Sequence, residues 1–192
     1  MKNRIITISR QFGSGGRTIG KTVAQQLGIP CYDAELIQAI AQKSGFSESY
    51  IRDAGEYTPG SFLSSAFSDR SFGPTNEDQL WVIQYDIISK LAQEGSCVIV
   101  GRCADFILRD KADCLRVFIH ADMDFRAKRI VREYGEREAT AQQRLRDKDK
   151  RRAAYYRFYT DMKWGDALNY SVTLNSGELG LDRCAKIIQE LY

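Results

Sequence analysis

Arg4-Ile5-Ile6-Thr7-Ile8-Ser9, continued by Arg10-Gln11-Phe12-Gly13-Ser14-Gly15-Gly16-Arg17-Thr18, is the stretch that decides the fold. Its first six residues are a short β-branched run and read as a buried strand. The glycine cluster follows at once, and Thr18 to Leu27 reads as a helix with Ile19, Val23, Ala24 and Leu27 on one face. Gly28 stands where a left-handed cap is needed. Glycines between a strand and a helix build a phosphate site, because backbone N–H groups can turn around an anion while the helix N-terminus adds partial positive charge. Set against G-x-x-x-x-G-K-[ST], Gly16, Arg17 and Thr18 take the last three places. Arg17 then replaces the lysine, Gln11 stands where the first glycine belongs, and Thr18 offers its hydroxyl to magnesium. Lys21 is one turn away and a second candidate cation. Two other readings stay open: a glycine turn with no ligand, and a dinucleotide loop starting at Gly13 with Asp33 on the ribose, which puts Thr18 where the third glycine belongs.

Outward from the loop, Ile29 to Asp33 reads as a second strand and Glu35 to Lys43 as a helix. Strand, loop, helix, strand favours a parallel sheet covered by helices. From about 45 to 74 periodicity is weak and Gly, Ser, Pro and Phe accumulate, so an insertion or binding segment is expected there. Thr75-x-x-Asp78 can cap a helix running to about Glu94. Cys97–Val100 and Leu115–Ile119 read as strands, Asp122 to Tyr134 and Ala139 to Thr160 as helices, Tyr170–Leu174 as the last strand and Leu181–Leu191 as the last helix.

The chain has 192 residues, 43% hydrophobic and 28% charged, with a net charge of +3. That is an ordinary soluble composition, long enough for one sizeable core and too weakly basic to imply nucleic acid or membrane. No apolar stretch is long enough to span a bilayer, and the N-terminus lacks the apolar core of a secretory signal, so a cytoplasmic location is expected. The five cysteines are scattered without a C-x-x-C, and the one histidine, His120, has no cysteine at a zinc spacing. Reduced, buried cysteines are therefore expected rather than disulfides or structural zinc.

With the loop stand Tyr32-Asp33, Val98-Ile99-Val100-Gly101-Arg102-Cys103-Ala104-Asp105, Lys150-Arg151-Arg152-Ala153-Ala154-Tyr155-Tyr156 and Trp164-Gly165-Asp166-Ala167-Leu168-Asn169-Tyr170. Together with Ile8 to Arg17 these segments resemble the cytidylate-kinase-like family of nucleoside monophosphate kinases over nearly the full length. The resemblance implies a P-loop kinase fold, with magnesium and ATP as cofactor and donor and with small-molecule nucleotides as ligands. It also implies that Asp33 contacts the acceptor nucleotide. Two departures stand out: Ala34 replaces the usual serine, and no arginine occurs at Gln38 or Ala39. The acids expected around Gly101-Arg102 are missing too, which removes a magnesium anchor and leaves Asp105 as the candidate substitute. An arginine just beyond a buried parallel strand points into the ligand crevice, so Arg102 suits an acceptor phosphate as well as a structural ion pair.

From Arg126 to Arg157 there are twelve Lys or Arg and five Asp or Glu. Arg144, Lys148, Arg151 and Arg152 recur at three or four residues and can share a helical face. A solvated basic face, or an RNA surface with Tyr155, Tyr156 and Phe158 stacking on bases, would also use such a segment. The resemblance instead makes it a lid that delivers Arg151 and Arg152 to the transferring phosphoryl group.

The combined expectation is a single domain over 1–192 with an α/β fold: a three-layer α/β/α sandwich, a mostly parallel five-stranded sheet, a substrate-binding insertion at about 45–74 and a helical lid at about 135–160. Gly13, Ser14, Gly15, Gly16, Arg17 and Thr18 would bind ATP; Asp33, Arg102 and Asp105 would bind the acceptor; Arg17, Arg151 and Arg152 would be catalytic; and Thr18 would hold magnesium. The function expected is phosphoryl transfer from ATP to CMP or dCMP. The alternatives are a nucleotide-binding protein without transfer and a kinase for another small phosphate acceptor, with RNA binding ranked last.

Overall fold

Every strand of the sheet runs in the same direction, because the connections between them pass through helices. The computed structural model describes residues 4–33 and 76–192. The strands are β1 (Arg4–Arg10), β2 (Cys31–Tyr32), β3 (Cys97–Val100), β4 (Asp113–His120) and β5 (Val172–Asn175), in the order β2-β3-β1-β4-β5. All four pairings are parallel, with Ile8 beside Val100 on one side and Val117 on the other. The order reverses around β1, so the crevice for a ligand opens beyond its C-terminal end.

Side chains alternate across β1 and define two faces. Ile6 and Ile8 pack with Val98, Val100, Val117 and Ile119 under α1 (Gly16–Leu27) and a C-terminal helix (Leu181–Leu191). Ile5, Cys97 and Ile99 lie on the other face, under α2 (Asn76–Glu94) and the short α3 (Ala104–Ile107). The result is the three-layer sandwich expected. After β4 come α4 (Met123–Tyr134), whose N-cap Asp122 accepts from Phe125 N at 2.8 Å, and the 23-residue α5 (Glu138–Thr160). A 3₁₀ turn (Ala167–Asn169) leads to β5, the four-residue α6 (Ser176–Leu179) and the C-terminal helix, α7.

Most element limits match the sequence reading, and the exceptions are local. Helix α1 starts at Gly16, two residues before Thr18, and β2 stops at Tyr32. The short α3, 3₁₀ turn and α6 were not foreseen, since three or four residues carry no periodicity. The helix expected over Glu35–Lys43, the insertion at 45–74 and the cap at Thr75 lie outside the described residues. All five cysteines are free. Burial, with neighbouring thiols adding to it, pushes Cys97 up to about 12 and leaves it a small apolar filler. Among the described residues, no helix is long and apolar enough to cross a membrane.

Helix α1 approaches the sheet through Gly20, where an added Cβ would lie 2.9 Å from Val100 Cγ2 and 3.2 Å from Ile8 Cδ1. Gly95 meets nothing within 4 Å. Gly20→Ala is expected to cost about 1–3 kcal/mol by overpacking, and Gly95→Ala to stay within about 0.5 kcal/mol of wild type. Urea unfolding of both variants checks this; equal losses would contradict the close helix–sheet contact.

Candidate functional site

The turn from β1 into α1 needs backbone that only glycine adopts readily. Gly13 and Gly15 are left-handed, at φ 80° and 84°, and Gly15 is the N-cap of α1 without a side-chain cap. The first-turn N–H groups of α1 therefore have no partner inside the helix, and they carry the positive end of its dipole. A Cβ at Gly13 would lie 2.9 Å from Ile130 Cγ2, and one at Gly15 would run into Leu181. Helices α4 and α7 thus hold the loop from behind. Gln11 Oε1 accepts from Ala121 N at 3.2 Å, which ties the loop to the end of β4. Ser14 is fully buried, and its hydroxyl donates to Gln11 O at 2.9 Å. The side chain of Ser14 builds the loop and is not offered to a phosphate.

Cations reach this loop from three elements. Arg17 Nε forms an ion pair with Asp33 Oδ2, joining the first turn of α1 to the residue after β2. Thr18 Oγ1 accepts from Arg129 Nη2 at 3.0 Å, and Arg129 is 6% exposed with its Nε buried and unpartnered. Arg126, also buried, donates to Ala121 O and Phe12 O and pairs with Asp149 Oδ2 at 2.5 Å. Asp149 Oδ1 also accepts from Phe12 N at 2.7 Å. One carboxylate of α5 thereby clamps both the loop and α4. Arg152 Nη1 donates to Arg10 O at 3.2 Å, and its guanidinium lies 5.4 Å from the Phe12 ring centre. Arg151, next to it, is half-buried. Arg126 and Arg129 were counted as part of a basic segment on sequence alone. Their spacing of three, on the helix that follows the strand beside β1, is the signal that places them behind the loop.

Beyond β3 the backbone takes three left-handed residues in succession: Gly101 at φ 80°, Arg102 at 58° and Cys103 at 53°. For the two non-glycine residues this costs about 1–2 kcal/mol each, and such strain collects at functional sites. Gln84 Nε2 holds the turn by donating to Arg102 O at 3.0 Å. The strand order puts Asp33, Arg102 and the glycine loop at the same edge of the sheet, although they are far apart in the chain.

Asp105 does not join them. It is 2% exposed, and its two oxygens accept from Ser9 Oγ at 3.1 Å and Tyr156 OH at 2.7 Å. It ties α3 to β1 and to α5 instead of meeting an acceptor or a metal, because both oxygens are engaged inside the core. Thr18 is no better placed for magnesium, since a guanidinium donates into its hydroxyl oxygen. Among the described residues no group of three or more acids, cysteines or histidines could hold a metal ion. The loop amides and surrounding guanidinium groups suit a polyphosphate.

The family model described as Cytidylate kinase-like family matches residues 5–178. A cytidylate kinase of Archaeoglobus fulgidus is 27% identical over 186 residues, covering 95% of this chain and 91% of that protein. Among solved structures, an uncharacterised protein from Eubacterium ventriosum is 30% identical with a TM-score of 0.74, covering 97% of this chain and 96% of its own. A shikimate kinase from Bacteroides thetaiotaomicron shares the fold at 16% identity, with a TM-score of 0.58 and coverage of 100% and 98%.

Burial is the main cause that raises the Asp105 carboxyl above its ordinary value, against the lowering effect of the Tyr156 and Ser9 hydrogen bonds. The folded state thus holds this proton more tightly than the unfolded chain. Its contribution is complete below the ordinary carboxyl range and is lost as pH rises through the raised folded value. Asp105→Asn should gain stability over wild type as pH rises from acidic to neutral. Asp105→Ala should lose about 1–3 kcal/mol by leaving two buried hydroxyls unpartnered. Urea unfolding at a series of pH values reads both; parallel wild-type and Asn curves would contradict the raised carboxyl.

Proposed function

The chain belongs to the cytidylate kinase-like family, and from that premise we propose that it transfers the γ-phosphoryl group of ATP to a nucleoside monophosphate, CMP or dCMP. The observation that carries this reading is the seating of Arg152, which brings a cation from the middle of α5 to the end of β1 at Arg10 O and against Phe12 of the glycine loop. A basic helix that were only a solvated face would not place a guanidinium there.

In this reading the loop amides from Gly13 to Thr18 cradle the donor phosphates. Arg102 holds the acceptor phosphate with a planar, bidentate fork. Asp33 contacts the acceptor nucleoside, and Arg17 fixes its carboxylate. An acceptor oxygen attacks the γ-phosphorus, the bond to the β-bridging oxygen breaks, and ADP leaves beside a nucleoside diphosphate. The acceptor is a monoester whose second pKa is about 6, so it attacks as a dianion and needs no general base. Arg151 and Arg152 balance the charge that spreads over the equatorial oxygens, and α5 with its flanking turns serves as the lid over about 135–160. Magnesium belongs to the nucleotide substrate in this scheme, and no residue of the chain is given to it. The chain acts as one domain, with segment 45–74 serving the acceptor.

One observation favours a second reading, binding without transfer: the hydroxyl of Thr18 faces Arg129 rather than a metal. A single experiment separates the two. Purified protein, ATP and magnesium are offered CMP, dCMP, other nucleoside monophosphates and non-nucleotide phosphate acceptors, with turnover and melting temperature both recorded. Turnover of CMP or dCMP is expected, falling roughly 10³-fold in kcat for Arg152→Ala. In Arg102→Ala the acceptor KM should rise about tenfold or more. Stabilisation by ATP or CMP with no product from any acceptor would establish the binding module, and turnover of another acceptor alone would move the substrate class.

A further inference from the structure

We propose that Arg10, at the end of β1, is the side chain that carries positive charge to the donor phosphates, in exchange for the lysine that the loop lacks. This rests on the phosphoryl-transfer reading above and adds a residue to it. The argument begins with register. In G-x-x-x-x-G-K-[ST] the last glycine is the one that turns the chain into the helix. That residue is Gly15, left-handed at φ 84°, because Gly16 is already the first residue of α1. Counted from Gly15, the first-glycine place falls on Arg10 and the lysine place on Gly16. Arg17, read from sequence as the lysine's replacement, moves one place further and is tied to Asp33.

Gly16 then needs an explanation, since helical backbone does not require glycine and disfavours it by about 1 kcal/mol against alanine. The explanation is Arg10. A Cβ at Gly16 would lie 2.6 Å from Arg10 Cβ and 3.0 Å from Arg10 Cγ. The Arg10 Cβ is fixed by the backbone and cannot swing aside. A Cβ at Gly101 would overlap Arg10 Nη1. The arginine stem thus crosses the first residue of α1, in the space where a lysine side chain would start, and its guanidinium rests on the turn that carries Arg102. The glycine and the cation have exchanged places, and the charge arrives from the strand instead of the helix. It lies between the donor loop and the acceptor arginine, with Arg152 bonded to its own carbonyl. A guanidinium there can fork onto phosphoryl oxygens as an ammonium cannot.

The exchange can be reversed. ATP and CMP binding are titrated separately by calorimetry on the full chain and three variants. Arg10→Met keeps the stem and removes the charge; Arg17→Ala removes the other candidate; and Arg10→Gly with Gly16→Lys restores the ordinary order. Arg10→Met should weaken ATP binding about 10- to 100-fold, as loss of a charged hydrogen bond does, with CMP binding showing that the variant is folded. Arg17→Ala should weaken CMP more than ATP. The double variant should recover most of the ATP affinity. ATP binding undiminished in Arg10→Met, or lost in Arg17→Ala instead, would overturn the assignment, as would a double variant that binds CMP but not ATP. Failure of the wild-type chain to bind ATP would overturn the kinase reading itself. ATP binding without turnover would overturn only transfer and leave Arg10 judged by affinity.

Discussion

The chain must leave β1 and enter α1 within five residues, with α4 and α7 packed against the turn and the end of β4 hydrogen-bonded to it. That confinement governs the rest of the site. It forces Gly13 and Gly15 into left-handed backbone with no room for a Cβ, buries the Ser14 hydroxyl beneath the loop, and leaves the first-turn amides of α1 open at the crevice. Buried arginines follow from the same confinement. Arg126 and Arg129 reach under the loop from α4, and a positive charge taken out of water needs a partner of matching geometry. Asp149 supplies it for Arg126 and in doing so fixes where α5 lies.

The architecture was legible because its signals are long or chemically distinct. A five-stranded parallel sheet could be read from β-branched runs separated by helical periodicity, and the phosphate loop from glycines between the first strand and first helix. Gly28, read as a left-handed cap, is one at φ 66°. The loop's register was not legible, since Gly15 and Gly16 look alike until backbone angles show which of them turns the chain. Counted from Gly16, the reading puts the phosphate cation at Arg17 and the magnesium hydroxyl at Thr18, and in the structure these two side chains meet Asp33 and Arg129.

Asp105 illustrates a second limit. Its place after Gly101-Arg102 suggested a ligand, but the turn between consists of left-handed residues, which sends α3 back over the sheet and carries Asp105 into the core. No spacing rule anticipates a non-glycine pair in that conformation. The buried carboxylate is then satisfied by Ser9, whose side chain falls on the α3 face of β1, and by Tyr156 from α5. The position of Arg102, as distinct from its role, follows from the fold class. It sits on the turn itself, at the carboxyl end of a central strand, where open parallel sheets have their crevice.

The two attachments of α5 have a mechanical consequence. Asp149 is fixed to the loop and Tyr156 to Asp105, seven residues apart, or about 10 Å along the helix axis at 1.5 Å per residue. A rigid rod held at one point can pivot; held at two, it has lost that freedom. Helix α5 therefore cannot withdraw Arg152 from the loop by swinging about either attachment while the other stays in place. It must release both, or bend between them through intact helical turns, so its removal from the loop is an all-or-none event rather than a graded tilt.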